Sequence, residues 1–423
     1  GIALDQLAER KDQVKKLKSK EDWEQRRSEV RVKLDKIIGE FPEKTPLNAR
    51  VTDLLKGDGF RVEKVIYESQ PGLHVTAALF IPDGLEKKSP AILYCSGHTW
   101  DGFRSEVYQH AIINYVKKGF VVLAFDPVSQ GERLQYLHKK GKKSLYNTPT
   151  KEHSYAGGQC FINGQSMAKY MIWDGIRSID YLVSRVEVDS TRIGITGRSG
   201  GGTQSVYISA FDDRILASAP ENYVTSFQYL LESIGPQDAE QNLPKLLKNR
   251  LDFADLLEVR APKPTLIIST LSDFFSIQGA RETYEEVKEA YKTYGNEDLV
   301  QMIEDKGGHE STLKNRERAY AFFQKHLNHP GDSSDLNVEI FSKKDLRVTE
   351  SGQVLTEFNG ESIFSLNKKV ALQNAEDNEI MNDSIFLSPD SLTKSVIQIT
   401  GFENIIIDDD YIFSGTDTYE GLT

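Results

Sequence analysis

The chain has 423 residues, with 52 Lys and Arg against 63 Asp and Glu and a net charge of −11. That balance disfavours non-specific nucleic-acid binding, although local Lys and Arg could still hold an acidic polysaccharide. No apolar run approaches the roughly 18 residues that span a bilayer, and the length suits one large α/β domain with an extension, or two to three smaller domains.

Taken in chain order, residues 3–38 carry an apolar stripe at helical spacing (Leu7, Val14, Leu17, Trp23, Val30, Leu34, Ile37, Ile38), which predicts helices docked on a main body. Segments 61–67 and 75–81 read as a hairpin at a sheet edge. Segments 91–95 and 121–125 read as buried strands with a helix between them, near 107–118. An insertion at 134–162 is rich in Lys, Tyr, His and Gly. A long loop at this place would arch over an active site. A helix is predicted over 167–183.

Next comes the most informative segment. Ile193 and Ile195 mark a short buried strand, Gly197-Arg198-Ser199-Gly200-Gly201 fits G-x-S-x-G, and a helix-compatible stretch follows at 203–210. This is the strand, sharp turn and helix of a nucleophile elbow. Glycines beside the serine avoid Cβ clashes across the tight turn, and the free N–H groups of the helix face the serine oxygen. The bare pattern arises by chance in roughly one such chain in ten. Gly164-Gln165-Ser166-Met167-Ala168 resembles it, but no apolar strand precedes that serine. Context therefore selects Ser199 as the candidate nucleophile.

A serine nucleophile needs a base and an orienting acid. Only His309, His326 and His329 follow Ser199, and the latter two end a predicted helix over 311–327. His309 sits in Lys306-Gly307-Gly308-His309-Glu310, after the apolar segment 299–303, and is the candidate base. The apolar strand 265–270 is followed by Asp273, the favoured acid, whose other reading is the N-cap of a helix over 279–294. Glu221, closing a strand at 215–221, is the alternative acid; its other reading is a structural or substrate-contacting carboxylate. One oxyanion donor should be the N–H of Gly200, and the other that of His98 or Thr99 in the loop after 91–95. His98 has an alternative role in packing beneath the nucleophile. Trp100, Tyr223 and Phe274, with Arg198 beside the serine, are candidate substrate contacts.

The alternation of strands and helices predicts an α/β-hydrolase-type, doubly wound, mostly parallel sheet with ligands at the strands' carboxyl ends. Residues 1–329 are expected to form the catalytic domain, N-terminal helices included. A linker-like Pro330-Gly-Asp-Ser-Ser-Asp opens a short β-rich extension over 330–423, with β-prone pieces at 338–341, 353–357, 395–400, 405–407 and 411–414. Cys95 reads as a small buried hydrophobe, with a Cys95–Cys160 disulfide as the lesser alternative. The Asp408-Asp409-Asp410 run reads as a solvated turn. No H-E-x-x-H or paired C-x-x-C occurs, so no metal or cofactor is expected.

Together, Gly197-Arg198-Ser199-Gly200-Gly201, Asp126-Pro-Val-Ser-Gln-Gly-Glu-Arg133, Trp173-Asp174 and Gly308-His309 resemble the acetyl-xylan-esterase-like α/β-hydrolases. Asp22 to Arg27 and Ile38 to Pro42 also fit, so the resemblance covers roughly residues 20–330. It implies a serine esterase that removes acetyl groups from plant polysaccharide, outside the cytoplasm, in the periplasm or medium. Two features depart from it. Glycines follow the serine where a bulky residue is common, and an acid at Glu221 would be similar to glucuronoyl esterases, in which an arginine follows the serine rather than preceding it. Gln353 to Leu355 and Phe364 to Asn367 look like the connector of larger tandem hydrolases, which raises the expectation of a fragment. A uronic-acid ester hydrolase, a prolyl-oligopeptidase-like peptidase and a non-catalytic carbohydrate-binding module remain alternatives. No propeller repeat supports the peptidase, and oligomeric state is left unassigned.

Overall fold

The computed structural model describes residues 1–139, 141, 143–384 and 394. Two helices open the chain, α1 (Ile2–Val14) and α2 (Lys20–Ile38). Ser19 and Asp22 start α2 with reciprocal bonds, Asp22 N–H to Ser19 Oγ at 3.1 Å and Ser19 N–H to Asp22 Oδ2 at 2.9 Å. Such caps contribute about 1 kcal/mol. Arg10 and Arg26, both buried, converge on the buried Asp255 and tie these helices to the body.

The antiparallel strands β1 (Arg50–Lys56), β2 (Phe60–Gln70) and β3 (Leu73–Pro82) follow. Then come β4 (Ser89–Cys95), α3 (Glu106–Lys117), β5 (Val121–Phe125), α4 (Pro149–Ile162) and α5 (Met167–Ser184). The elbow lies between β6 (Val188–Arg198) and α6 (Gly200–Phe211), and β7 (Ile215–Glu221), α7 (Phe227–Glu232) and α8 (Phe253–Glu258) succeed it. The body closes with β8 (Thr265–Thr270), α9 (Ile277–Thr293), β9 (Val300–Asp305) and α10 (Leu313–His326). Beyond it lie α11 (Val354–Glu357) and α12 (Ile363–Ser384).

Among the described residues the nine strands form one sheet in the order β1-β2-β3-β5-β4-β6-β7-β8-β9. The run from β5 to β9 is parallel, and β1, β2 and β3 extend it antiparallel. Side chains of α3 and α10 pack on one face, around Ile92, Val122, Phe322 and Phe323. Helices α5, α6, α8 and α9 cover the other, around Ile179, Ile208, Leu257 and Val287. This is the expected α/β-hydrolase architecture. The chain leaves β4 for β5 on one side and returns to β6 on the other, so strand order reverses between β4 and β6. A crevice at the carboxyl ends of two such strands is where open α/β sheets bind ligands.

The region after 330 differs from expectation. The compact unit runs from Gly1 to Lys368, well past 329, and residues 369–423 form a second unit, described only for the continuation of α12 and Lys394. Residues 338–341 form no strand, and 354–357 make a helical turn. The extension is therefore not β-rich among the described residues. Instead it clamps the body, with Val348 and Thr349 N–H donating to Glu132 at 2.7 and 2.8 Å. The β-prone pieces at 395–414 and Asp408 to Asp410 lie outside the described residues. Both cysteines are free and buried, so the disulfide alternative falls. Among the described residues no helix is long and apolar enough to cross a membrane.

Candidate active site

Ser199 stands at the end of β6 with φ 61° and ψ −124°, a left-handed conformation that a non-glycine residue adopts at a cost of about 1–3 kcal/mol. The surroundings hold it there. Its N–H donates to Glu221 O at 2.9 Å, and its carbonyl accepts from Thr203 N–H at 3.0 Å, the first turn of α6. The neighbouring glycines are required by contact. A Cβ on Gly197 would lie 2.1 Å from the Cys95 carbonyl oxygen, and one on Gly201 would lie 2.0 Å from the same atom. By contrast, Ser166 of the similar sequence 164–168 caps α5, accepting from Ala168 N–H at 3.1 Å.

His309 lies in the loop between β9 and α10. Its Nδ1 is 2.9 and 3.0 Å from the two oxygens of Asp273, in the loop after β8. Asp273 Oδ1 also accepts from Phe275 N–H at 3.0 Å, which fixes the carboxylate. Asp273 is not the N-cap of α9; Ser276 is. Ring Nε2 of His309 is buried and has no hydrogen-bond partner, although the side chain as a whole is 23% exposed. An imidazole whose Nδ1 is held by a carboxylate and whose Nε2 is free is set to take and return a proton. Phe274, 44% exposed, lies against that ring with centroids 4.2 Å apart.

Glu221 holds its carboxyl near Asp273 and the elbow. It ends β7 beside Arg198 and lines a small internal cavity with Ser311, Asn315 and Arg316. Burial pushes its carboxyl up to about 7, against the opposing pull of Ser311 and Arg198. No ion pair or hydrogen bond joins it to His309 among the described residues.

The loop after β4 runs close to the serine. A Cβ on Gly97 would lie 3.1 Å from Ser199 Cβ. Of the candidate oxyanion donors, Gly200 N–H opens α6 and has no intrahelical partner. His98 N–H has no hydrogen bond among the described residues, whereas Thr99 N–H is already given to Gln130 Oε1 at 2.9 Å. That bond gives the Asp126 to Arg133 segment its place here. Asp126 and Glu132 are buried against Arg104, and Arg133 donates to Asp174 at 2.7 Å. The segment is a buried brace for the loop that borders the serine.

Trp100 and Leu134, Lys143 and Tyr146 of the insertion line a cavity of about 380 Å³. Arg198 is half-buried, its guanidinium 5.6 Å from the Tyr108 ring centroid. Tyr223 is not at the surface. Asn222 takes φ 50° after β7 and turns Tyr223 inward, where it packs on Phe253 and Phe275 and donates to Tyr207 Oη at 3.2 Å. It is core, not a sugar platform.

A second titratable group, missed in the sequence, lies by the elbow: His98, His153, Asp238 and Glu240. Burial alone pulls both imidazoles down, but Glu240 and Asp238 outweigh it and raise them above the ordinary histidine range. No spacing rule could have found it, because its residues come from three segments far apart in sequence.

The Acetyl xylan esterase (AXE1) family profile matches residues 43–255, half of the chain, from the antiparallel hairpin through the elbow to α8. The chain belongs to the acetyl xylan esterase family. It is a carboxylic ester hydrolase of carbohydrate-esterase type, with the α/β-hydrolase fold. A Bacillus subtilis (strain 168) protein named "Putative hydrolase YtaP" is 25% identical over 319 residues, 71% of the esterase and 100% of that protein. Among solved structures, Methylesterase BT1017 is similar with a TM-score of 0.63 at 22% identity, covering 87% of the esterase and 78% of that chain. A glucuronoyl esterase from Solibacter usitatus is similar with a TM-score of 0.56 at 15% identity, covering 73% and 94%.

Proposed function

We propose that the esterase removes acetyl or related acyl groups from plant-type polysaccharide by two-step acyl transfer, with Ser199 as nucleophile, His309 as base and Asp273 as the orienting acid. The single observation that carries this reading is the imidazole of His309. Its Nδ1 lies on Asp273 and its Nε2 is buried without a partner, in a loop at the same end of the sheet as the strained Ser199. In the first step Ser199 Oγ attacks the ester carbonyl and His309 Nε2 takes its proton. Gly200 and His98 N–H stabilise the oxyanion, and the alcohol leaves with the proton from His309. In the second step water, deprotonated by the same nitrogen, attacks the acyl-enzyme and releases the acid. No cofactor enters these steps. Phe274 and Trp100 supply aromatic faces beside the site for a sugar ring. A polymeric substrate that cannot enter cells fits an enzyme of the periplasm or medium.

Hydrolysis of a small chromogenic acetate ester by the wild type and not by Ser199→Ala tests the reaction. Acetate, butyrate and octanoate esters test the acyl pocket, with acetate expected to be fastest; a preference for octanoate would point to a lipase-like enzyme. A uronic-acid ester hydrolase is the second reading. The names of the two similar structures favour it, one a methylesterase and the other a glucuronoyl esterase. Cleavage of a methyl glucuronate ester but not of acetate would select it.

A further inference from the structure

Four ionisable side chains that the acyl-transfer steps do not use meet beside the elbow. His98 comes from the loop after β4, His153 from α4, and Asp238 and Glu240 from the segment between α7 and α8. One ligand-type atom from each lies within 4.8 Å of all the others. His98 Nε2 is 2.5 Å from Glu240 Oε1 and 3.4 Å from Asp238 Oδ2. His153 Nδ1 is 2.9 Å from Asp238 Oδ2 and 3.0 Å from Glu240 Oε2. The side chains of His153 and Glu240 are 0% and 1% exposed.

The outer atoms of the group are engaged, and the inner ones converge. His153 Nε2 is 2.8 Å from the Val128 carbonyl oxygen, which can only accept, so Nε2 carries the hydrogen and the Nδ1 position turns inward. This backbone anchor is the one that metal-binding imidazoles use to fix tautomer and ring orientation. Asp238 Oδ1 accepts from Gln241 Nε2 at 2.7 Å, leaving Oδ2 for the centre. Glu240 Oε2 is the decisive atom. It is buried, stands 3.0 Å from His153 Nδ1, and still has no hydrogen-bond partner. His153 Nδ1 is spent on Asp238 Oδ2 at 2.9 Å, so Glu240 Oε2 faces the centre of the group as a buried acceptor with no donor.

Charge and geometry name what that centre holds. Two buried carboxylates need two positive charges nearby. Either protons, on the imidazoles or on Asp238 itself, balance the carboxylates, or one divalent cation serves both while the imidazoles stay neutral. Around a tetrahedral Zn²⁺ with bonds of about 2.0–2.1 Å, donor atoms lie about 3.3 Å apart. Counting both Glu240 oxygens, the nitrogen–oxygen separations here run from 2.5 to 3.4 Å, and one donor atom from each residue lies within 4.8 Å of the others, so small side-chain shifts close a shell of that size. Two imidazole nitrogens and two carboxylate oxygens are a donor set suited to zinc.

We propose that His98, His153, Asp238 and Glu240 form a closed, structural binding site for a divalent cation of the zinc class. The sequence pointed to no metal because zinc motifs are recognised by close spacing along one segment, and here the fold assembles the ligands from three. With four protein ligands the ion has no open position, so ester cleavage does not pass through it. Its work is mechanical. It ties the loop that borders Ser199 to α4 of the insertion and to the Ala239–Gln241 turn, which rests on α6 through Gln241. The His98 ring is fitted to the elbow, since a Cβ on Gly200 would lie 2.8 Å from its Cε1.

Elemental analysis of the native protein, purified without chelator and dialysed against metal-free buffer, tests the site. About one equivalent of zinc-class metal is expected. Chelation should lower Tm, and added Zn²⁺ should restore it. Co²⁺ loaded into the chelated protein should give the intense visible bands of a four-coordinate ion. Glu240→Gln and His153→Ala should each reduce bound metal below about a tenth of an equivalent. Should these variants misfold, the native metal content and the Co²⁺ spectrum decide alone. Native protein without divalent metal, whose Tm added Zn²⁺ does not move, would overturn the proposal and leave two protons balancing the carboxylates. Metal retained undiminished in both folded variants, or Ca²⁺ in place of a transition metal, would also overturn it.

Discussion

Two of the molecule's imidazole–carboxylate assemblies stand at the same end of its sheet, and they are built on opposite plans. His309 meets one carboxylate, keeps Nε2 without a partner and is partly open to solvent. His98 and His153 meet two carboxylates in a pocket almost closed to solvent, and both ring nitrogens of His153 are committed. The groups are the same, but their freedom differs. A proton carrier needs one nitrogen unspent and a charge state that changes at little cost. A buried imidazole between two carboxylates is held in one state, and whatever balances the charge there stays put. The first assembly is therefore suited to chemistry and the second to holding loops in place.

The largest expected effect breaks the first assembly. Ser199→Ala should reduce the rate on a chromogenic acetate ester by on the order of 10³-fold or more and leave the fold intact. The comparison requires both halves of that result. A variant as fast as the wild type would end the hydrolase mechanism proposed here, and a variant that unfolds would show that the elbow serine is structural.

Asp273→Asn should follow, with a loss of roughly 10²- to 10⁴-fold, because Nδ1 of His309 would no longer have a carboxylate to fix its tautomer. Steady-state kinetics over a range of substrate concentrations should put the loss in kcat. His153→Ala should sharpen the contrast from the other side. Removing one partner of a buried charge group destabilises by about 3–5 kcal/mol, so chemical denaturation should show a large shift for His153→Ala and a much smaller one for His309→Ala. Equal shifts would mean that the two assemblies do not divide chemistry from structure in this way.

Much of this was legible in the sequence where burial leaves a pattern. The parallel strands are apolar runs, and the elbow motif carries its own strand and helix, so Ser199, His309 and Asp273 could be named as candidates before their surroundings were known. Segments without such a pattern were missed. Strand β1 is exposed along nearly its whole length and has no alternation to read. Helix α4 contains Gly157 and Gly158, poor helix formers, yet Gly157 is needed because a Cβ there would lie 2.1 Å from Ala239 Cβ. Val354 and Leu355 look β-prone, but Val354 N–H donates to Glu132 O at 2.9 Å and the chain turns helically at that clamp. Tyr223 was misplaced because the backbone reversal at Asn222, which turns it into the core, leaves no signal in residue spacing.

The smallest effect concerns Glu221, the alternative acid. Since His309 lies on Asp273, Glu221→Gln should cost less than about tenfold in rate. Its signature should appear in stability instead. Burial raises the folded-state value to about 7, whereas an unfolded glutamate titrates near 4.3. Between those values the folded protein holds a proton that the unfolded chain has lost. Stability conferred by this group is therefore highest below about pH 4 and falls as pH rises to about 7. A shift of that size corresponds to about 4 kcal/mol. Glutamine cannot ionise, so Glu221→Gln lacks this slope. Urea titrations at acidic, neutral and alkaline pH should show the variant gaining on the wild type as pH rises, with the gain complete above neutrality. Parallel profiles would mean that Glu221 is charged throughout. Joined to a large loss of rate, they would transfer the acid role from Asp273 to Glu221.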